Sequence, residues 1–333
     1  MIGSFFVKPD RKDKGAVLLT TLLVMSLMAT VAVSLFDSVR LAVKRSANVQ
    51  AYVQADWYMR GVGDVAQDNL NTQLTTLKAA QFNTILQRPE PIVFPIDGGA
   101  ITMMLRDGDQ CFALSALTQS PGRIQFRQLL ETLGWNTLDA ATLTSQAADW
   151  IDADQQALPN GGEDYLYLGN SLSHRTANTV FTSVSELRVL PGLDEAGFQT
   201  LRPFLCAREA DAVNAVNINT LLPSHAPLLA SVLGGKDTLS IAKRLITERP
   251  SEGYNNLDQI MAAPALLDVD TQNMAFDILT LVPNHIWVEV DVEIGGIRRF
   301  GNLEYDISTG HAERTFRRIG LDARRPTLID DPS

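Results

Sequence analysis

Apolar residues along the chain fall into three regimes. In the first, residues 16–36 run AVLLTTLLVMSLMATVAVSLF without a charge. At about 1.5 Å rise per residue, such a run crosses the roughly 30 Å hydrocarbon core of a bilayer as a helix. Beyond it no proline occurs until after residue 77. Apolar positions recur there at helical spacing, at Val39, Val43, Val49, Val53, Trp57, Val62, Val65 and Ala66, with Arg40, Lys44, Arg45, Gln50 and Asp56 as their polar complement. The pattern predicts one helix over 16–77, apolar in its first half and amphipathic in its second. Gly61 and Gly63 weaken it, by about 1 kcal/mol each relative to alanine.

The second regime alternates. Pro89, Pro91 and Pro95 end the helical pattern, and Asp97-Gly98-Gly99 reads as a hairpin turn into a strand over 99–105. Far downstream, Ile286, Val288, Val290, Val292 and Ile294 alternate with Trp287 and three acidic residues, the cleanest strand pattern in the chain. Gly295-Gly296 turns that strand into a partner over 297–308. The tail after Phe316, with Pro326 and Pro332, carries little core content. Between the strands, residues 112–283 read mainly as amphipathic helices, at 123–135, 138–153, 182–190, 238–249 and 257–267. A gapless echo relates 181–193 to 254–266, matching Phe181 with Tyr254, Val184 with Leu257, Leu187 with Ile260, Pro191 with Pro264 and Leu193 with Leu266. It predicts two related helix–turn units.

Length and composition fit this division. The 333 residues suffice for two domains, and 45% hydrophobic with 20% charged residues describes a globular chain. Net charge is −10, and becomes −12 without residues 1–15, which hold four basic and two acidic side chains. That balance argues against a nucleic-acid partner and accommodates divalent cations. The two cysteines, Cys111 and Cys206, read either as a disulfide formed in an oxidising compartment or as two buried thiols. There is no CxxC, HExxH, G-x-S-x-G or P-loop, and His174, His225, His285 and His311 are scattered. Zinc and nucleophilic hydrolysis therefore have no constellation to rest on.

Three stretches remain as candidate chemistry. Lys8, Arg11, Lys12 and Lys14 precede the apolar run, favouring a cytoplasmic N-terminus with the remainder facing outward. This leader is either an ordinary secretory signal or anchor, or a prepilin-type leader cut after Gly15 so that Ala16 begins the mature helix. The densest polar cluster holds Asp149, Asp152 and Asp154, then the turn Gly161-Gly162 followed by Glu163 and Asp164. It reads as a calcium site of non-EF-hand type or as a solvated acidic loop. Residues 216–220 (VNINT), a helix, Gly234-Gly235 and a second helix resemble a helix-hairpin-helix unit. Residues 210–265 carry four basic and five acidic side chains, however, a poor balance for DNA.

Several of these stretches together resemble the minor pseudopilin K family of bacterial type II secretion. They are the leader ending in Gly15, Asp56-Trp57-Tyr58, DWIDADQQALPNGGEDYLYL at 149–168, RTANTVFTSVSELRVLPGL at 175–193 and VNINT. Most pilin-like proteins carry glutamate at the fifth mature position. Here that position is Thr20, and the K subunit is the one that typically lacks the glutamate. Leu172-Ser173-His174-Arg175 departs from the family's proline-tyrosine pair, and Phe112-Ala113-Leu114-Ser115 from a more asparagine-rich segment.

The resemblance implies an α+β pilin-like fold: a long N-terminal helix and a small antiparallel sheet, interrupted by a large helical insertion. The segments would be a leader at 1–15, a transmembrane helix at 16–36, pilin domain at 37–111 and 284–333, and the insertion at 112–283. It implies no enzyme activity. It implies cleavage by a prepilin peptidase, N-methylation of Ala16, and a single-pass inner-membrane protein with its soluble part in the periplasm. The implied partners are minor pseudopilins I and J and other pseudopilins, the implied place is the pseudopilus tip, and the implied cofactor is calcium, with Asp152, Asp154, Glu163 and Asp164 as matching acidic positions. The alternative is a minor pilin of a DNA-uptake system that binds nucleic acid through its helix-hairpin-helix-like part.

Overall fold

A single helix, α1 (Arg11–Thr76), runs 66 residues. The structure is a computed structural model, and it describes residues 11–169, 173–208, 214–267, 269–272 and 274–320. Leader residues 1–10 and the tail from 321, with Pro326 and Pro332, lie outside the described residues. From residue 15 to 50 every side chain of α1 is exposed, including the whole apolar run. Among the described residues, the helix meets the rest of the protein from Ala51 onward, through Ala51, Ala55, Met59, Val62, Ala66 and Leu70.

That buried stripe differs from the expected one. Val39, Val43, Val49, Val53, Trp57 and Val65 are exposed, and of the expected set only Val62 and Ala66 are buried. The reason is distance of approach. A stripe rich in alanine lets the helix lie close on a sheet, and Gly301 opposite has no room for a side chain: a Cβ there would meet Met59 Sδ at 2.5 Å.

Chain order continues with α2 (Ala79–Gln87), β1 (Ile92–Ile96), β2 (Gly99–Asp107) and β3 (Phe112–Ala113). Next come α3 (Ser120–Thr132), α4 (Thr137–Ile151), α5 (Asp164–Leu168), α6 (Glu195–Leu201), β4 (Leu205–Cys206) and β5 (Val216–Asn217). Then follow α7 (Ala226–Leu233), α8 (Leu239–Thr247), α9 (Leu257–Met261), β6 (Leu279–Thr280), β7 (His285–Ile294), β8 (Ile297–Asp306) and β9 (Glu313–Ile319). Five strands form one antiparallel sheet in the order β1-β2-β7-β8-β9. Pro95 is tolerated because β1 is an edge strand, where one missing N–H costs no ladder bond. Alternation in β7 buries Ile286, Val288, Val290, Val292 and Ile294 against α1, as the pattern predicts. Tyr305 on β8 donates to the Gly63 carbonyl at 2.6 Å, tying the sheet to the helix at its glycine pair.

The excursion from Asp107 to His285 has its own core, which includes Phe112, Phe126, Trp150, Tyr167 and Phe198. It is built twice over. β3 pairs parallel with β4, and β5 pairs parallel with β6, so each half begins and ends on a two-residue ladder. The echo seen in the sequence is real in three dimensions. Thr182 N–H donates to Glu186 Oε1 and Asn255 N–H to Gln259 Oε1, and Leu187 and Ile260 are both fully buried. The predicted helix over 182–190 is a 3-10 turn at Val184–Val189, and Pro264 divides 257–267 into α9 and a 3-10 turn.

Candidate functional site

Helix α4 starts on Asn136, whose side chain accepts from Asp139 N–H at 2.9 Å, and it ends at Ile151. Asp149 and Asp152 lie three residues apart across that end and so share a face. The chain then turns through Asn160 (φ 64°), Gly161 and Gly162, and returns Glu163 to the same spot. Gly161 is required there, since a Cβ would sit 2.0 Å from Asp149 Oδ2. One oxygen from each of Asp149, Asp152 and Glu163 lies within 4.8 Å of the others. Asp149 is anchored by the N–H groups of Leu158 (3.1 Å) and Gly162 (2.8 Å). Asp152 Oδ1 and both Glu163 oxygens are buried without a hydrogen-bond partner among the described residues.

Three converging carboxylates at the negative end of a helix repel one another. Burial first, and then the neighbouring carboxylates, raise Glu163 to about 7 and Asp152 to about 6. Burial likewise raises Asp149 above the ordinary carboxylate value, against the two backbone donors. Orphaned oxygens of hard-donor type, with no cationic side chain among the described residues hydrogen-bonded to them, fit a divalent cation such as calcium.

The set differs from the four acidic positions expected. Asp152 and Glu163 are in it. Asp154 accepts from Gln156 N–H, and Asp164 is turned toward Thr176, accepting from its N–H and Oγ1 at 3.0 Å, with Arg175 at 3.7 Å. Asp149 takes a place instead. Its helical i, i+3 relation to Asp152 is the signal that finds it in the sequence.

A second polar cluster joins the two cores, where the chain leaves the sheet and re-enters it. Asp107, the last residue of β2, accepts from Asn217 Nδ2 at 2.7 Å and from Thr220 Oγ1. Asn217 Nδ2 also donates to Asn83 Oδ1 on α2, while Gln87 and Gln110 donate to the carbonyls of Asn219 and Thr220. Asp109 holds Arg208 Nη1 and His285 Nδ1 at 2.8 Å each. Burial, and then the charge of Asp109, push Asp107 up to about 7. Burial also acts to raise Asp109, but the hydrogen bond from His285 and the Arg208 charge outweigh it and hold that carboxyl below its ordinary value. Beside this joint, Cys111 and Cys206 form a disulfide, and Trp287 of β7 packs on it.

The VNINT segment therefore has a structural task. Val216, Asn217, Ile218, Asn219 and Thr220 are all buried in the joint. The Gly234-Gly235 hairpin turns against α3, with Gly235 next to Gln128. The Gly234 and Gly235 N–H groups are both used within the chain, on the Ala230 carbonyl.

At the other end of the molecule, Gly15, Ala16 and Thr20 lie on exposed turns of α1. Thr20 Oγ1 donates to the Val17 carbonyl at 2.9 Å, so its polar group is satisfied within the helix.

Comparison with known proteins is consistent across three measures. Family models described as "Type II secretion system (T2SS), protein K" match residues 110–210 and 216–278. The type II secretion system protein K of Pectobacterium carotovorum subsp. carotovorum is 32% identical over 296 residues, covering 85% of this chain and 89% of the relative. That of Klebsiella pneumoniae is 33% identical over 277 residues, covering 79% and 83%. Among solved structures, the GspK-GspI-GspJ complex of the enterotoxigenic Escherichia coli type 2 secretion system contains a chain that superposes with a TM-score of 0.71 at 26% identity. That alignment covers 83% of this chain and 99% of the other.

Proposed function

Since the chain belongs to the protein K family of type II secretion systems, we propose that it is the minor pseudopilin that initiates and caps the pseudopilus. In that place it contacts pseudopilins I and J and serves export of folded proteins as a structural subunit. The observation that carries this reading is the superposition of 83% of this chain, at a TM-score of 0.71, on nearly the whole of one chain of a solved GspK-GspI-GspJ complex. A DNA-uptake pilin is disfavoured by the acidic balance and by the burial of the VNINT segment at 216–220.

The physical chemistry supports a terminal position. In the membrane an unpaired carboxylate is costly. Thr20 carries no charge and satisfies its own hydroxyl, so a subunit with no neighbour ahead of it has nothing left unpaired. The helical insertion, mounted on the sheet through the joint at Asp107 and Asp109, supplies the bulk that stops another subunit from stacking above.

The helix over 16–36 is long and apolar enough to cross a membrane. We read the protein as single-pass in the inner membrane, with the part after the 16–36 helix in the periplasm, cleaved after Gly15 by a prepilin peptidase and methylated on Ala16. The disulfide suits that compartment. Calcium is the proposed cofactor. Asp149, Asp152 and Glu163 would hold it, and the ion would neutralise their charge and fix the 152–163 loop.

Mass spectrometry of the membrane-extracted protein tests the reading. It predicts a first residue of methylated Ala16, lost when the peptidase is absent, and co-purification with pseudopilins I and J. An intact leader, or cleavage beyond Phe36, overturns it.

A further inference from the structure

Helix α1 carries a short basic stretch where it leaves the apolar run. Arg40, Lys44 and Arg45 are the first basic side chains after residue 15, and the next along the chain is Arg60. All three are exposed and none forms an ion pair among the described residues, whereas Arg60 pairs with Asp56 at 3.1 Å. Between residues 16 and 55 the one acidic side chain is Asp37. Topology does not account for the stretch. Basic side chains ordinarily mark the cytoplasmic flank of a membrane helix. The cut proposed after Gly15 removes the four of the leader, so the mature helix has basic side chains on its outer flank alone.

Their depth matches that of lipid headgroups. At about 1.5 Å per residue, Arg40 stands about 6 Å beyond Phe36 and Arg45 about 14 Å. The headgroup layer extends about 5–7 Å beyond the hydrocarbon core on each side. Cα–Cβ bonds of an α-helix tilt toward its N-terminus, here toward the bilayer, and long basic side chains lay their stems on apolar surface while the charge reaches polar ground. At that depth the anionic acceptors are lipid phosphates. Direction points the same way. Arg40 precedes Ala51, and Lys44 precedes Ala55, by eleven residues, close to three whole turns. Both therefore lie on the side of α1 that packs on the sheet. The exposed Val53 and Trp57, open to a neighbouring helix, lie on the opposite side.

We infer that Arg40, Lys44 and Arg45 bind the phosphate groups of anionic phospholipids in the outer leaflet, and so hold the mature helix at its depth before assembly. The inference rests on the reading of α1 as a single-pass helix cut after Gly15.

The test reconstitutes the mature full-length chain into vesicles of equal parts phosphatidylcholine and phosphatidylglycerol. Floated vesicles are extracted in mild detergent, and the lipids retained by the chain are identified by native mass spectrometry. Phosphatidylglycerol is expected to be retained over phosphatidylcholine by about fivefold or more. That ratio falls toward one in about 1 M salt and in the variant Arg40→Gln/Lys44→Gln/Arg45→Gln. Arg60→Gln keeps the ratio, and the triple variant melts like the wild type because its three positions are exposed. The inference fails if the wild type retains both lipids equally, or if the triple variant keeps the preference; in either case a floating chain leaves the single-pass reading intact. A chain that does not float overturns that reading and the inference with it. Loss of pseudopilins I and J from the purified triple variant, with its lipid preference unchanged, assigns the cations to a partner's carboxylates and overturns the inference as well.

Discussion

Asn217 Nδ2 donates to the Asp107 carboxylate at 2.7 Å, across 110 positions of sequence and with both residues fully buried. This bond spans the two cores. Asp107 ends the strand that leaves the sheet, and Asn217 begins the second half of the insertion. Asn217→Ala takes one of its donors from Asp107, which keeps Thr220 Oγ1, and removes the donor to Asn83, at a cost of about 2–3 kcal/mol. Denaturant unfolding of the variant measures it, and a loss below about 0.5 kcal/mol would mean that the joint is not held this way.

Arg208 answers the other carboxylate of the joint. Arg208→Ala leaves Asp109 buried without its guanidinium, held by the His285 ring and the Asn284 N–H, a change that costs about 3–5 kcal/mol. Arg208→Lys keeps the charge and loses the guanidinium fork that also faces Glu304 at 3.6 Å, so it recovers only part of the loss. Equal stability of the lysine variant and wild type, by thermal melting, would contradict this account.

The proposed calcium dependence carries a sign in pH. Glu163 and Asp152 have folded-state values raised to about 7 and 6. Between the ordinary carboxylate value and those values, the metal-free folded chain holds protons that the unfolded chain has released. Its stability therefore falls as pH rises through this window. A cation displaces those protons, so the gain in melting temperature on adding calcium is larger at pH 7.5 than at pH 5. Glu163→Gln shrinks the gain at pH 7.5, and Asp164→Asn leaves it nearly unchanged. A calcium response that is flat in pH, or lost in Asp164→Asn alone, would remove the ligand set of Asp149, Asp152 and Glu163.

The Cys111–Cys206 disulfide closes a loop of 95 residues that contains the first half of the insertion. In the chain-entropy account, reduction costs about 4–5 kcal/mol. The variant Cys111→Ala/Cys206→Ala should melt well below wild type, and its first half should be cleaved first by limited proteolysis. Uniform cleavage across both halves would show that the disulfide does not act locally.

Gly301 faces Met59 across the helix–sheet contact. Gly301→Val forces the helix away from β8 and is expected to destabilise the pilin core by about 1–3 kcal/mol. Thr20→Glu, in contrast, leaves the soluble fold untouched and leaves pseudopilus assembly unchanged or mildly reduced. A marked gain in assembly would argue against the terminal position.

Local information was enough for much of this protein. The apolar run at 16–36, the single helix through Thr76, the β7–β8 hairpin at Gly295-Gly296 and the doubled helix–turn unit are all legible from neighbours close in sequence. Periodicity and turn chemistry act within such windows. The motifs of the leader and of 149–193 also carried the family. What the tertiary structure decided were the choices between competing local options. Trp57 and Val53 form as good an apolar stripe as Ala55 and Met59. The sheet selects the second, because small side chains permit the closest approach. Asp154 and Asp164 are as acidic as Asp149, yet backbone partners and Thr176 claim them, and the helix end delivers Asp149 to the cluster. VNINT reads locally as a hairpin lead-in. It becomes the joint of the molecule only because folding brings Asp107, Asn83 and Gln87 against it, and such meetings across more than a hundred residues leave no periodic trace in the sequence.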